Sequence, residues 1–361
     1  MKRIRLQTKR IHFAFAAVLL GSALLFAACA SRPEPGAHTK AAEEAITALN
    51  YTQAVEEAKT AIVTGEDARQ AYRLMGIAYL RNAGYAEAAE AFQSALSRSD
   101  GIPDAMDYDM NLYLAECKKR LGAYEEAVTV YDHVLALRPS DAETLYERGE
   151  AKLKLDRLTD ATADFDAAVR LQNRDMDLRI RIYLAYAEAG YEDAGKSVLQ
   201  EALNSFGNAM SYYEKGKAAY YLGNNAEAQS LLEKALTSSR GEERAQTVLM
   251  LGLTGERQGD FGYAVDVYTD YLENETQDAR ILNRRGICRM EQGDYRLAIA
   301  DFEQGKALQD AEAYRALARN EITAYEYLGD FSKARKLMEE YMQRFPDDEE
   351  AAREHAFLST R

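Results

Sequence analysis

Tryptophan is absent from this 361-residue chain, and proline (five), histidine (four) and cysteine (three) are scarce. The histidines are His12, His38, His133 and His355. None has a neighbour at metal-ligand spacing and no His-Glu-x-x-His occurs, so no metal site is expected. Cys29, Cys117 and Cys288 are too few for a disulfide scaffold. Basic charge is also short: 45 basic residues face 59 acidic ones, a net charge of −14. That sign repels the phosphate backbone from which most nucleic-acid affinity comes, so no nucleic-acid partner is expected. Carboxylates are abundant, yet no placed acid–base pair or nucleophile emerges, and neither an enzyme nor a cofactor is expected. Gly252, Gly255 and Gly259 resemble a phosphate loop only superficially, because no strand precedes them. Asp347, Asp348, Glu349 and Glu350 suit the start of a helix, where negative charge meets the macrodipole.

What the chain does have is a period. Ala54, Ala88, Ala127, Ala161, Ala194, Ala228, Ala264, Ala298 and Ala334 are separated by 34, 39, 34, 33, 34, 36, 34 and 36 residues. With the Ala88 unit counted as repeat one, an aromatic usually stands three residues before the alanine and a bulky group four after it, such as Phe92, Tyr131, Phe165, Val198 or Phe302. Alanine and bulky residue therefore share one helical face. Twelve residues before the alanine, five repeats carry glycine, namely Gly76, Gly149, Gly216, Gly252 and Gly286. A glycine there lets a second helix approach a first one closely, which offsets its poor helix propensity. A period near 34 in a helical pattern means stacked helix pairs that bury their apolar stripes on one another.

These residues resemble the tetratricopeptide repeat family. Gly149, Ala161 and Phe165 match its small, small, aromatic signature, Leu251-Gly252 its Leu-Gly pair, and Pro139 and Pro346 its closing proline. The resemblance covers about residues 40 to 346. It implies an all-α fold, an α-α superhelix: a right-handed solenoid of about eight to nine helix-turn-helix units. There are departures. Tyr72, Leu145, Tyr212 or Leu282 stands where the family has tryptophan, and repeat four has Ile182 in the glycine position. The first unit reads as partial, an N-terminal cap. An insertion around Ser97–Asp107, containing Gly101 and Pro103, lengthens one connection. Cys117 and Cys288 occupy equivalent packed positions five repeats apart, too distant to pair.

The one long apolar run lies at the start. Lys2, Arg3, Arg5, Lys9 and Arg10 precede Ile11–Ala28, which is apolar but for His12 and Ser22 and ends Leu25-Phe26-Ala27-Ala28-Cys29. This is the layout of a secretory signal. The cysteine after small residues resembles a bacterial lipobox, which implies Cys29 as the lipidated mature N-terminus. Phe26 departs from the usual leucine. The expected organisation is a lipoprotein signal over 1–28, a lipid-anchored tether over 29–41, the repeat array over 42–346 and a capping helix over 347–361. The mature chain would carry 40 basic and 59 acidic residues, a net charge of −19. Its expected address is extracytoplasmic and membrane-anchored: the outer face of a plasma membrane, or the outer membrane and periplasm.

In the family, the first helices line a concave groove, and ligand contacts come from the second, fifth, sixth, ninth, twelfth and thirteenth positions of each repeat. By that resemblance repeat three offers Glu143, Tyr146, Glu147 and Glu150. Repeat four offers Tyr183 and Tyr186, and repeat five Tyr213, Lys217, Tyr220 and Tyr221. Repeat seven offers Arg280, Asn283 and Arg284, and repeat eight Arg319 and Asn320. The expected groove has a tyrosine-rich middle with an acidic lip and a basic, amide-bearing C-terminal end suited to a carboxylate. The expected partners are proteins or peptides of the cell envelope, with the membrane engaged through the lipid. A glycan or peptidoglycan ligand stacked on the tyrosines and self-association are the alternatives.

Overall fold

A computed structural model describes residues 36–310, 312–345 and 348–360. The signal segment and Cys29 lie outside the described residues. The described residues form two compact units that divide between Arg98 and Ser99, and contain helices and no strand.

The first unit holds two helix pairs, α1–α2 (Ala37–Thr47, Tyr51–Thr64) and α3–α4 (Ala68–Arg81, Tyr85–Leu96). Two expectations change here. Residues 37–41, expected in the tether, belong to α1. The repeat around Ala54, expected to be partial, is also a full helix pair: Ala42, Ala45, Ile46, Ala54 and Ala58 bury against Leu74 and Ala78. The start of α1 is capped from a distance, because Glu66 accepts the backbone N–H groups of His38 (3.0 Å) and Thr39 (2.9 Å). Those hydrogen bonds hold the Glu66 carboxyl below its usual pKa.

The second unit starts within the expected insertion, whose Asp104 and Asp107 form a capping box on the unit's first helix. Its pairs are α5–α6 (Ala105–Arg120, Tyr124–Leu137), α7–α8 (Ala142–Leu153, Leu158–Leu171) and α9–α10 (Met176–Glu188, Glu192–Phe206). Then come α11–α12 (Tyr212–Tyr221, Asn225–Ser238), α13–α14 (Gly241–Arg257, Phe261–Asn274), α15–α16 (Ala279–Glu291, Tyr295–Ala307) and α17–α18 (Tyr314–Leu328, Phe331–Arg344). The last helix, α19 (Glu349–Leu358), buries Ala351 and Leu358 in the core under α17 and α18. The first helix of each repeat also touches the first helix of the next, from α7 through α17.

The small-on-large rule holds within the pairs. A Cβ at Gly149 would stand 2.6 Å from the Phe165 ring, so only glycine admits that ring. Repeat four breaks the expected register. Ala194 is half-exposed, whereas Gly195 is buried, and a Cβ there would stand 2.9 Å from the Tyr183 carbonyl. Leu199 is fully buried four residues later, in the place expected of Val198. The left-handed turn glycine agrees: Gly190 is five residues before Gly195, as Gly122 is before Ala127 and Gly223 before Ala228. The small residue has moved to the second helix, so Tyr183, and not Ile182, holds the close-approach position.

Two repeats carry the same buried ionic clasp. Arg148 (Nε–Oδ2 2.8 Å) and Lys152 (2.7 Å) converge on Asp164, and Arg285 (Nη2–Oδ1 2.7 Å) and Arg289 (2.7 Å) converge on Asp301. Asp164 is 4% and Asp301 1% exposed. A carboxylate so enclosed is tolerable only because two cations share it. Cys117 and Cys288 are free and buried. Burial pushes both thiols up, that of Cys117 to about 12.

Candidate partner-binding surface

The residues expected in the groove separate into three groups. Tyr146, Tyr183 and Tyr186 are core residues and not groove contacts. Tyr146 packs on Phe165 with ring centroids 5.9 Å apart and lies under the Arg181 guanidinium at 3.9 Å. Burial lifts its hydroxyl to about 12. Tyr186 meets Phe165 edge-on at 5.1 Å, and its hydroxyl lies 2.7 Å from the Thr162 hydroxyl. The shifted register explains both repeat-four misplacements: moving the frame by one residue turns Tyr183 and Tyr186 inward. It turns Asp177, Arg181, Leu184 and Glu188 outward instead, and Leu184 is 46% exposed. The signal that could have found this was the five-residue step from Gly190 to Gly195.

The second group stays together as expected. Tyr213, Tyr220 and Tyr221 on α11 are half-buried. Tyr221 packs edge-on against Tyr220 (5.2 Å) and tilts against Tyr183 (5.6 Å). Arg257 lies 3.7 Å over the Tyr220 ring and donates to the Tyr220 carbonyl (2.5 Å). The Lys217 ammonium lies 5.3 Å from the Tyr213 ring, and burial raises the Tyr213 hydroxyl. All three rings pack against the Leu232, Met250 and Leu251 core, beside half-buried Leu253 on α13.

The third group carries charge that neighbouring repeats consume. Arg280 binds Glu242 (3.0 Å) and Asp278 (2.6 Å). Arg284 binds Glu256 through Nε (3.1 Å), and Glu256 also accepts the Tyr268 hydroxyl (2.7 Å). Arg319 binds Glu354 (2.6 Å), and Asn320 donates to Asn283 (2.8 Å). The basic C-terminal end is therefore neutralised. The acidic lip is neutralised too: Arg181 binds Glu143 (2.6 and 2.8 Å), and Lys119 binds Glu147 (2.5 Å) and Glu150. Lys154 pairs with Glu188 and Lys217 with Asp177. These bonds link first helices, so the ions stiffen the stack and are not left waiting for a ligand. What remains open on this face between α9 and α13 is apolar and aromatic: Leu184, the three tyrosines and Leu253.

Models of the tetratricopeptide repeat match residues 39–103, 213–279, 249–320 and 322–348, and a TPR repeat model matches 119–156. The chain belongs to the tetratricopeptide repeat family. Among curated relatives, it is 26% identical over 272 residues to the tetratricopeptide repeat and J domain-containing co-chaperone DNJ1 of Fusarium oxysporum f. sp. lycopersici, covering 74% of this chain and 46% of that one. It is 22% identical over 153 residues to the Homo sapiens mitochondrial import receptor subunit TOM70, covering 42% of this chain and 21% of the receptor. The chain thus spans less than half the length of either. Among solved structures, it is similar to a tetratricopeptide repeat protein from Parabacteroides merdae (18% identity, 70% of this chain and 97% of that one, TM-score 0.43). It is also similar to YrrB, described as a TPR protein with an unusual peptide-binding site (19% identity, 46% and 84% coverage, TM-score 0.39). TPR arrays present surfaces for protein and peptide partners.

Proposed function

We propose that this TPR chain is a lipid-anchored, extracytoplasmic scaffold that binds envelope proteins or peptides and performs no catalysis of its own. The partner would lie on the first-helix face of the second unit, over α9, α11 and α13. One observation carries the reading: the charged groups of that face are bonded to neighbouring repeats, while Leu184, Tyr213, Tyr220, Tyr221 and Leu253 form a half-open apolar stripe between them. Aromatic side chains on a rigid support supply contact area at small entropic cost. An acidic chain end at repeats seven and eight is not supported, since Arg280, Arg284 and Arg319 are already paired. A stacked glycan is less favoured, because Tyr183 and Tyr186 lie in the core.

In-cell crosslinking and mass spectrometry test the scaffold. Proteins captured by wild type should be lost from a Tyr213→Ala/Tyr220→Ala variant that keeps the helical far-ultraviolet circular dichroism of wild type; an unchanged set of captured proteins would remove the stripe from consideration. Anchoring rests on the sequence around Cys29, whose acylation would supply membrane affinity by hydrophobic transfer. Cys29→Ser should move the protein from the membrane fraction to the soluble one, and continued membrane retention would contradict the anchor.

A further inference from the structure

The step from Ala228 to Ala264 is 36 residues, two more than the common 34. The surplus lengthens a helix and leaves the loop short. α7 and α15 start at the first repeat position, Ala142 and Ala279, whereas α13 starts at Gly241, a turn before the equivalent Ala245. Only Ser239 and Arg240 connect it to α12, both extended, and Gly241 at φ 55° turns the chain sharply into the helix. The added turn of α13 stands beside the C-terminal half of α12 and the end of α14. Between them a cleft of about 460 Å³ is left open, lined by Glu233, Leu236, Thr237, Arg240, Arg244 and Glu275.

The lining holds two cations, two anions and one aliphatic side chain. Arg244 is fixed: Nη1 donates to the Leu236 carbonyl (3.0 Å) and Nε lies 2.9 Å from Glu275 Oε1. Arg240 donates to the Ser239 carbonyl (2.5 Å). Among the described residues no carboxylate lies within 4.0 Å of its guanidinium. Glu233 accepts from Tyr263 (3.0 Å) and Gln229 (3.1 Å) through Oε1 alone. A guanidinium with donors to spare prefers a carboxylate. Arg244 already neutralises Glu275, so the unbonded Oε2 of Glu233 is the carboxylate oxygen left in the cleft to accept an ammonium.

We infer that this cleft binds a free α-amino acid with an aliphatic side chain. Its carboxylate lies on Arg240, its ammonium on Glu233, and its side chain on Leu236. The site is separate from the proposed partner stripe and does not depend on it.

Isothermal titration calorimetry of the full chain with leucine, N-acetyl-leucine and leucinamide tests this. Leucine should bind with Kd at or below about 1 mM, within reach of so small a ligand. Each blocked analogue, lacking one of the two charges, should bind at least about tenfold more weakly. Arg240→Ala, on an exposed side chain, should cost a similar factor, and Thr237→Trp should block the cleft, both with unchanged far-ultraviolet circular dichroism. Equal binding of N-acetyl-leucine and leucine would overturn the dipolar assignment. Leucine binding that survives both variants, or none up to 10-fold above about 1 mM, would overturn the site.

Discussion

Arg284 on α15 bonds Glu256 on α13, and 137 residues earlier the same two repeat positions hold Glu147 and Lys119, bonded with the charges exchanged. A tyrosine hydroxyl accompanies the carboxylate in both: Tyr268 on Glu256 (2.7 Å) and Tyr131 on Glu147 (3.4 Å). What the stack keeps is a bond between the twelfth position of one repeat and the sixth of the next, whichever end is positive. Glu256→Lys alone should therefore destabilise, because it sets two cations together, while Glu256→Lys with Arg284→Glu should recover most of the loss. A double-mutant cycle in urea should give a coupling of about 1–3 kcal/mol. Additive effects would mean that the pair contributes nothing.

The clasp carboxylates should be less forgiving. Asp301 is 1% exposed and neutralises Arg285 and Arg289. Asp301→Ala strands two partly buried guanidinium groups and should cost about 3–5 kcal/mol. Chemical denaturation of the variant measures this directly, and a cost below about 1 kcal/mol would place the clasp among surface ion pairs.

Repeat four yields a paired expectation. Gly195→Ala drives a Cβ into the Tyr183 backbone and should cost about 1–3 kcal/mol. Ala194→Ser, one residue away on a half-exposed position, should cost no more than about 0.5 kcal/mol. The opposite order would restore the unshifted register. Ala83, which takes the left-handed turn at φ 59° where six other repeats use glycine, should gain about 0.5–1 kcal/mol on replacement by glycine.

Helix pairs, turn positions and close-approach sites were legible in the sequence because each is a local repetition: one glycine, one alanine and one bulky residue at fixed intervals. Repeat four misled because Ala194 stands in phase while Gly195 does the packing. The groove was legible as a set of positions but not as a set of free groups. Lys119 reaches Glu147 across 28 residues and Arg181 reaches Glu143 across 38. No local pattern announces that such charges are already bonded.

Acid should release the C-terminal cap. Asp348 accepts from Arg315 (2.8 Å), Tyr341 (2.6 Å) and the Ala351 N–H (3.0 Å), and these bonds hold its pKa well below the usual carboxylate range. A depressed carboxylate contributes stability above its unfolded pKa and loses it as pH falls toward the folded value. The protection of α19 amides, relative to their intrinsic exchange at each pH, should therefore fall progressively below about pH 4, near the unfolded pKa of aspartate. In Asp348→Asn, the protection should be low already at neutral pH and lose that pH dependence.

The stripe itself is tested most directly by site-specific photocrosslinking in cells. A benzophenone amino acid placed at Leu184, 46% exposed on the first-helix face of α9, should capture a small set of discrete proteins. Capture should disappear with Tyr213→Ala/Tyr220→Ala. The same probe at exposed Asp166 on α8 should capture none of them. Identical products from both positions, or products from Asp166 alone, would contradict a partner seated over α9, α11 and α13.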